Sequence, residues 1–369
     1  MAAYDPMEEL GFIHDKQLIC SCIGFLQTNN STRDICTKYI RDGDRFYDLV
    51  SRYEEIVSYV LNRDGRSGNV MREIPPFLKA FGATDYGVLQ TCKESLRLMP
   101  QAEHVMNYLT DTLPTFVLTT QYEHQVLALS DALDLPVSVF KNSTLCLDDY
   151  DMKRPEGRSI REYAGTITAL RMPRNIYRLN TPVAMDADDS KMITILDNIM
   201  DSKLKNTESS SLMDASLPLG SNEKAYSLLD IRKRTMIDFD GTAYIGGDMN
   251  DYQAMDLVRD GSGLALSFNG SEFAVHGCNV AVMSRDCTAA AVLVAEFYNE
   301  GIEAVFDLIS NWDRETLRKR DCPDRRLMNA MLAANPRKLP EAHIVDQDNV
   351  TEIAEKSDKY RTKLLLSNY

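Results

Sequence analysis

Apolar positions in the first third of the chain recur at three- and four-residue steps. Between residues 32 and 63 they fall at Tyr39, Ile40, Phe46, Leu49, Val50, Tyr53, Ile56, Val57, Val60 and Leu61, the stripe of an amphipathic helix. Pro75-Pro76 breaks that region, Phe77–Gly82 reads as a short helix closed by glycine, and residues 87–109 carry another helical pattern. Residues 32–108 therefore read as an all-helical insertion. The pattern then shortens. Pro114–Thr120 is a β-rich run ending in two threonines, and a helix is expected from Tyr122 onward. A short strand is expected within 136–146. Residues 147–217 are polar, with Pro155-Glu156-Gly157 and a Ser/Asp/Lys-rich stretch over 201–217, whose run Ser209-Ser210-Ser211 is expected to be loop-like and mobile. A helix over 223–233, a strand over 242–247 and two further apolar runs, Gly263–Gly270 and Val280–Ser284, follow. From about 288 the pattern is mostly helical, interrupted by Pro323, Pro336 and Pro340. At the N-terminal end an apolar entry, Gly11-Phe12-Ile13, stops at Asp15, and a second apolar run comes after it.

The most informative stretch is Tyr244-Ile245-Gly246-Gly247-Asp248-Met249-Asn250-Asp251. It reads as a buried strand running into a tight turn that delivers Asp248 and Asp251 to the strand's carboxyl end, where open α/β sheets bind ligands. Two carboxylates on a glycine-bearing turn suit Mg²⁺, which takes one or two protein carboxylates and fills its shell with water and phosphate. The plain alternative is a polar turn before a helix start.

Composition narrows the partners. With 369 residues, 44% hydrophobic and 26% charged, the chain is of ordinary globular make-up and long enough for two or three domains, or one core with insertions. A net charge of −14 argues against nucleic acid or an anionic membrane as the main partner. No run approaches the length of a membrane-spanning helix and no signal peptide is evident, so a cytoplasmic protein without membrane insertion is expected. The eight cysteines are scattered, with Cys20-x-Cys22 the one close pair, which fits a reduced compartment.

Gly247-Asp248 and Asn250-Asp251 after an apolar strand resemble the fourth motif of the haloacid dehalogenase-like (HAD) superfamily, mostly Mg²⁺-dependent phosphatases with an aspartate nucleophile. The runs 263–270, with Asn269, and 280–284 resemble the last two core strands of that family. Gly43-Asp44-Arg45-Phe46, Pro76–Ala80 and Thr120–His124 are similar to an archaeal branch labelled energy-converting hydrogenase A subunit R. The resemblance implies an α/β fold, a doubly wound parallel-sheet core of HAD type (Rossmann-like), with an inserted helical cap and a further insertion. The core would comprise 1–31, 109–146 and 218–290, the cap 32–108, a variable insertion 147–217, and a mostly helical C-terminal extension 291–369.

The resemblance also implies roles. Strand-terminal Thr119, with its neighbour Thr120, would bind phosphate through a hydroxyl, and Lys224 would balance negative charge at the helix start. Asp248 and Asp251, with Asp15, would hold Mg²⁺. Asp238-Phe239-Asp240-Gly241-Thr242 spells the family's nucleophile motif, but six positions separate Asp240 from Gly246, short of the crossover of about a dozen that parallel strands need. It reads as a turn feeding the next strand. The position-compatible nucleophile is Asp15, ahead of the helical insertion; Gln17 then stands where a general acid is expected, and glutamine cannot supply that proton. Two functions follow: a Mg²⁺-dependent phosphohydrolase acting on a small phosphorylated metabolite through an aspartyl-phosphate, or an impaired HAD scaffold that binds a phosphorylated ligand or a protein partner.

Overall fold

The computed structural model describes residues 14–63, 67–173 and 185–366. Its strands are β1 (Gln17–Cys20), β2 (Thr115–Tyr122), β3 (Phe140–Ser143), β4 (Thr242–Gly246), β5 (Leu264–Phe268), β6 (Val280–Met283) and β7 (Glu341–Ile344). They form one sheet in the order β3-β2-β1-β4-β5-β6-β7, parallel throughout except for the antiparallel edge strand β7. The architecture is the expected α/β one, a mostly parallel sheet with helices on both faces.

The strands β1, β4, β5 and β6 are buried at every position, as a sheet covered on both faces requires. Alternate residues serve opposite faces. Leu18, Val117, Ile245, Leu266 and Val282 pack against the almost wholly buried helix Thr288–Glu300. Ile19, Leu118, Tyr244 and Ala265 pack against the helices Ser221–Thr235 and Tyr252–Asp260, together with Ile353 and Ala354 of the helix Val350–Leu366. From β1 the chain builds outward through β2 and β3 on one side, then returns to lay β4 on the other. The order therefore reverses at the β1/β4 pair, and the crevice outside the carboxyl ends of those strands is the place for a ligand.

Helices from Ser31–Tyr39 to Ala102–Thr112 stand between β1 and β2. The serine run expected to be loop-like instead opens the helix Ser210–Ala215, and residues 147–217 also form the helices Arg154–Thr168 and Ala187–Asp197 and a wider turn, Asn198–Leu204. Pro155 occupies the first helical turn, where its missing N–H is no loss. Ile160, Ile167, Ile193, Leu196 and Met213 share one apolar cluster with Ile35, Phe46, Tyr53 and Phe77, so both insertions build one helical lobe. Arg63 and Tyr53 both reach Asp197 at 2.6 Å across that lobe. The region after 290 is mostly helical, and the strand β7 within it completes the sheet edge.

Candidate functional site

The turn after β4 is shaped by lack of room. A Cβ on Gly246 would lie 2.4 Å from the Met255 sulfur and 2.7 Å from the Asp251 Cβ, and one on Gly247 would lie 2.9 Å from the Ile23 carbonyl oxygen. The next residues make one tight helical turn capped by Asp248, whose Oδ1 accepts from the Asn250 N–H at 2.9 Å. Asp251 faces inward. Its Oδ2 accepts from the Gly247 and Asp248 amides at 2.8 and 3.2 Å, and its Oδ1 from Lys224 Nζ at 2.7 Å and Tyr244 Oη at 3.0 Å. Lys224, on the first turn of its helix, also reaches Ser21 Oγ at 3.3 Å. Lys224 and Asp251 are both fully buried. Burial alone would lower the ammonium's affinity for its proton, but Asp251 and Asp248 outweigh it and hold Lys224 above its ordinary value.

The strand β2 brings Thr119 and Thr120 to the same end of the sheet. Thr119 Oγ1 accepts from the Gln121 amide at 3.2 Å, whereas Thr120 and Gln121 line a cavity of about 220 Å³ between the sheet and the helical lobe. Asp248, Glu54, Glu55 and Arg361 also line it. The lobe is held down on this cavity: Tyr59 donates to the Met249 carbonyl at 2.8 Å and packs its ring, tilted, against Phe273 with ring centroids 4.6 Å apart. Ser67 Oγ donates to Asn250 Oδ1 at 2.6 Å.

Of the residues expected from the sequence, five therefore gather at one end of the sheet: Thr120 and Asp248 at the cavity, and Thr119, Lys224 and Asp251 behind it. Asp15 and Gln17 do not join them. Asp15 stands two residues before β1, at the amino end of the parallel sheet, with its side chain 82% exposed and 3.9 Å from Lys16. Gln17 is a core residue, donating to Thr242 Oγ1 at 3.0 Å and accepting from Thr235 Oγ1 at 2.9 Å. The strand is made by the second apolar run, Leu18-Ile19-Cys20, so the carboxyl end of β1 carries Ser21-Cys22-Ile23-Gly24; the entry 11–13 lies outside the described residues. Burial pushes the Cys22 thiol up to about 12, so it is no nucleophile either. Asp238 pairs with Arg232 ahead of β4, also at the amino end. His124 and Glu123 turn away from the cavity, to Asp85 and the Leu145 amide.

Sequence reasoning missed Gln121, Glu54 and Arg361. Gln121 is buried at the end of β2, with Oε1 accepting from Ser31 and Thr32. Burial raises the Glu54 carboxyl well above its ordinary range, against the opposing Gly68 N–H. Burial likewise raises Asp248, with Asp251 adding to it and Lys224 and Arg361 opposing. A carboxyl whose folded value lies above its unfolded one favours the fold when protonated. Glu54's contribution is therefore full below the ordinary glutamate value of 4.5 and is lost as the pH rises through the raised value. Glu54→Gln is expected to raise the melting temperature at pH 8 by about 2–4 °C, an effect of roughly 1 kcal/mol. That gain should shrink toward pH 4, and a gain that is the same at both pH values would show that burial of charge is not its source.

The expected metal set of Asp15, Asp248 and Asp251 is not assembled. Asp15 is at the opposite end of the sheet. Asp251 has its lone pairs, about four in a carboxylate, taken by four donors. Among the described residues no group of three or more His, Cys, Asp or Glu could hold a metal ion. Asp15, Asp248 and Asp251 therefore do not together form a Mg²⁺ site.

No family model matches the chain, and no curated protein matches it. Among solved structures, that of gene product AF1437 from Archaeoglobus fulgidus aligns with 96% of this chain and 98% of its own, at 19% identity and a TM-score of 0.77. Phosphoserine phosphatase in apo form aligns with 74% of this chain and 96% of its own, at 12% identity and a TM-score of 0.43. A phospho-aspartyl intermediate analogue of phosphoserine phosphatase aligns with 74% and 95%, at 11% identity and the same score. The first likeness is one of fold, and chemistry has to be read from the cavity's own side chains. Among the described residues no helix is long and apolar enough to cross a membrane.

Proposed function

We propose that this chain is a HAD-like scaffold that binds a small phosphorylated ligand in the cavity and does not turn it over through an aspartyl-phosphate. One observation carries the reading: the carboxyl end of β1 presents Ser21 and Ile23, and no carboxylate. An in-line attack on phosphorus needs a carboxylate there, with cations beside it to offset the repulsion of two anions. The lysine at this end of the sheet, Lys224, is spent on Asp251 and sealed from the cavity. What remains suits binding. Thr120 and Gln121 offer neutral polar groups on one wall and Arg361 offers charge on the other, an arrangement that orients an anionic group without activating a nucleophile.

Two measurements test this together. With an aryl phosphate and Mg²⁺, wild type, Asp15→Asn and Asp248→Asn are expected to show the same background hydrolysis. Inorganic phosphate is expected to raise the melting temperature of wild type and to lose that effect in Thr120→Val. Mg²⁺-dependent turnover that disappears in Asp248→Asn would sink the scaffold reading in favour of a phosphohydrolase. Absence of any phosphate effect would remove the ligand class.

A further inference from the structure

A hard cation at the end of a sheet draws on backbone carbonyls and carboxylates. Such oxygens converge here from the ends of two neighbouring strands. The Gly247 carbonyl follows β4, the Asn269 carbonyl follows β5, and Asp248 stands beside them at the cavity wall. The group that meets them belongs to the chain itself. Arg361 Nη1 donates to the Gly247 oxygen at 2.9 Å and to the Asn269 oxygen at 3.2 Å. The guanidinium sits against two glycines: a Cβ on Gly247 would lie 3.4 Å from Nη1 and one on Gly24 3.6 Å from it, ordinary contact distances. Gly24 holds a left-handed backbone at φ +90° directly after Ile23, so the turn after β1 also borders the guanidinium.

The helix Val350–Leu366 delivers the guanidinium. Ile353 and Ala354 anchor it in the core, and Ser357 Oγ donates to the Gly270 carbonyl at 2.7 Å. Arg361 lies four residues beyond Ser357, on the same face of the helix. Two of its N–H groups are used on the carbonyls, the planar head carries more, and Arg361 lines the cavity together with Asp248 and Glu55. Its charge acts on both carboxyls, opposing the rise that burial gives each of them.

We propose that the Arg361 guanidinium occupies the cation position at the carboxyl ends of β1, β4 and β5, and that the site is by construction independent of divalent metal. A guanidinium and a metal ion cannot share those carbonyls. Arg361 thus excludes the metal and supplies a permanent positive charge in its place. The assignment goes beyond the ligand reading above and does not depend on it, because it concerns the charge at the sheet end and not what the cavity holds.

The test uses Mn²⁺ alone, with no phosphate probe, titrated calorimetrically into the full chain. Wild type is expected to show no Mn²⁺ binding that responds to Asp248→Asn. Arg361→Ala and Arg361→Gln are expected to bind one Mn²⁺ per chain at least about tenfold tighter than wild type, as follows from removing a like charge from the site. Adding Asp248→Asn to either should abolish the gain. Circular dichroism establishes that each variant is folded, and two substitutions guard against one of them failing. The assignment is overturned if wild type binds one Mn²⁺ that Asp248→Asn removes. It is overturned equally if both folded Arg361 variants bind Mn²⁺ no tighter than wild type. Neither result bears on phosphate stabilisation, so this proposal and the ligand reading fail separately.

Discussion

Replacing Lys224 with methionine is expected to lower the unfolding free energy by about 3–5 kcal/mol, the cost of leaving a buried carboxylate without its partner. The pair is fully buried on both sides, so solvent does not soften the loss. Asp251 keeps Tyr244 and two backbone amides in the variant, which is why the protein should still fold. The isosteric change Asp251→Asn should be worse than Lys224→Met. Every contact of Asp251 is with a donor, and an asparagine must turn its own NH₂ toward either the Lys224–Tyr244 side or the two amides. Denaturant titration of both single variants and the double variant checks this. Combining the changes should cost well under the sum of the two. Equal single effects that simply add would show that the two groups act apart. The pH dependence has a definite sign. Lys224 is held above its ordinary value, so the pair's contribution is full below 10.5 and is lost as the pH rises through the raised value. The gap between wild type and Lys224→Met should therefore close only in strong alkali.

That pair also shows how far the sequence could be read. Asp248, Asp251 and Lys224 were legible because strand, glycine turn and helix start are local features, and a parallel sheet brings its carboxyl ends together. What local pattern could not tell was the direction each carboxylate takes. Asp248 and Asp251 are three apart, a spacing that lets the second reach back to the amides before the first, and so Asp251 is used up inside the turn. Asp15 misled for a related reason. Two apolar runs flank it, and only pairing with β4 decides that the later one is the strand, which puts Asp15 at the wrong end of the sheet. The helices of 147–217 were hidden by their thin apolar stripe; in Arg154–Thr168 it amounts to Gly157, Ile160, Ala164 and Ile167. Arg361 had no local signal at all. It is one basic residue in a polar helix, and its role comes from where residues more than ninety positions earlier place their carbonyls.

The seam between lobe and sheet is expected to be nearly as sensitive as the buried pair. Gly68 begins the helix Asn69–Glu73 with φ +89°, a left-handed conformation that costs a side-chain-bearing residue about 1–2 kcal/mol. A Cβ there would also lie 2.7 Å from the Gly220 Cα, backbone that cannot swing aside. On the other side, a Cβ on Gly220 would lie 2.1 Å from the Ser67 carbonyl oxygen. Gly68→Ala is therefore expected to cost about 3 kcal/mol, combining left-handed strain with overpacking of typically 1–3 kcal/mol. Its effect should reach the cavity, because the Gly68 amide donates to Glu54 and both residues line the wall. Hydrogen exchange should then rise at Gly68 and across the Tyr59–Met249 contact while the strands β4 and β5 stay protected. Gly220→Ala should open the same seam without the left-handed strain. The double variant distinguishes a shared seam from two separate defects. Once Gly68→Ala has lifted the lobe, the second methyl has space, so the combined cost should fall clearly short of the sum. Strict additivity, with exchange unchanged at Tyr59, would mean that each methyl is absorbed locally and that the lobe does not move as a unit.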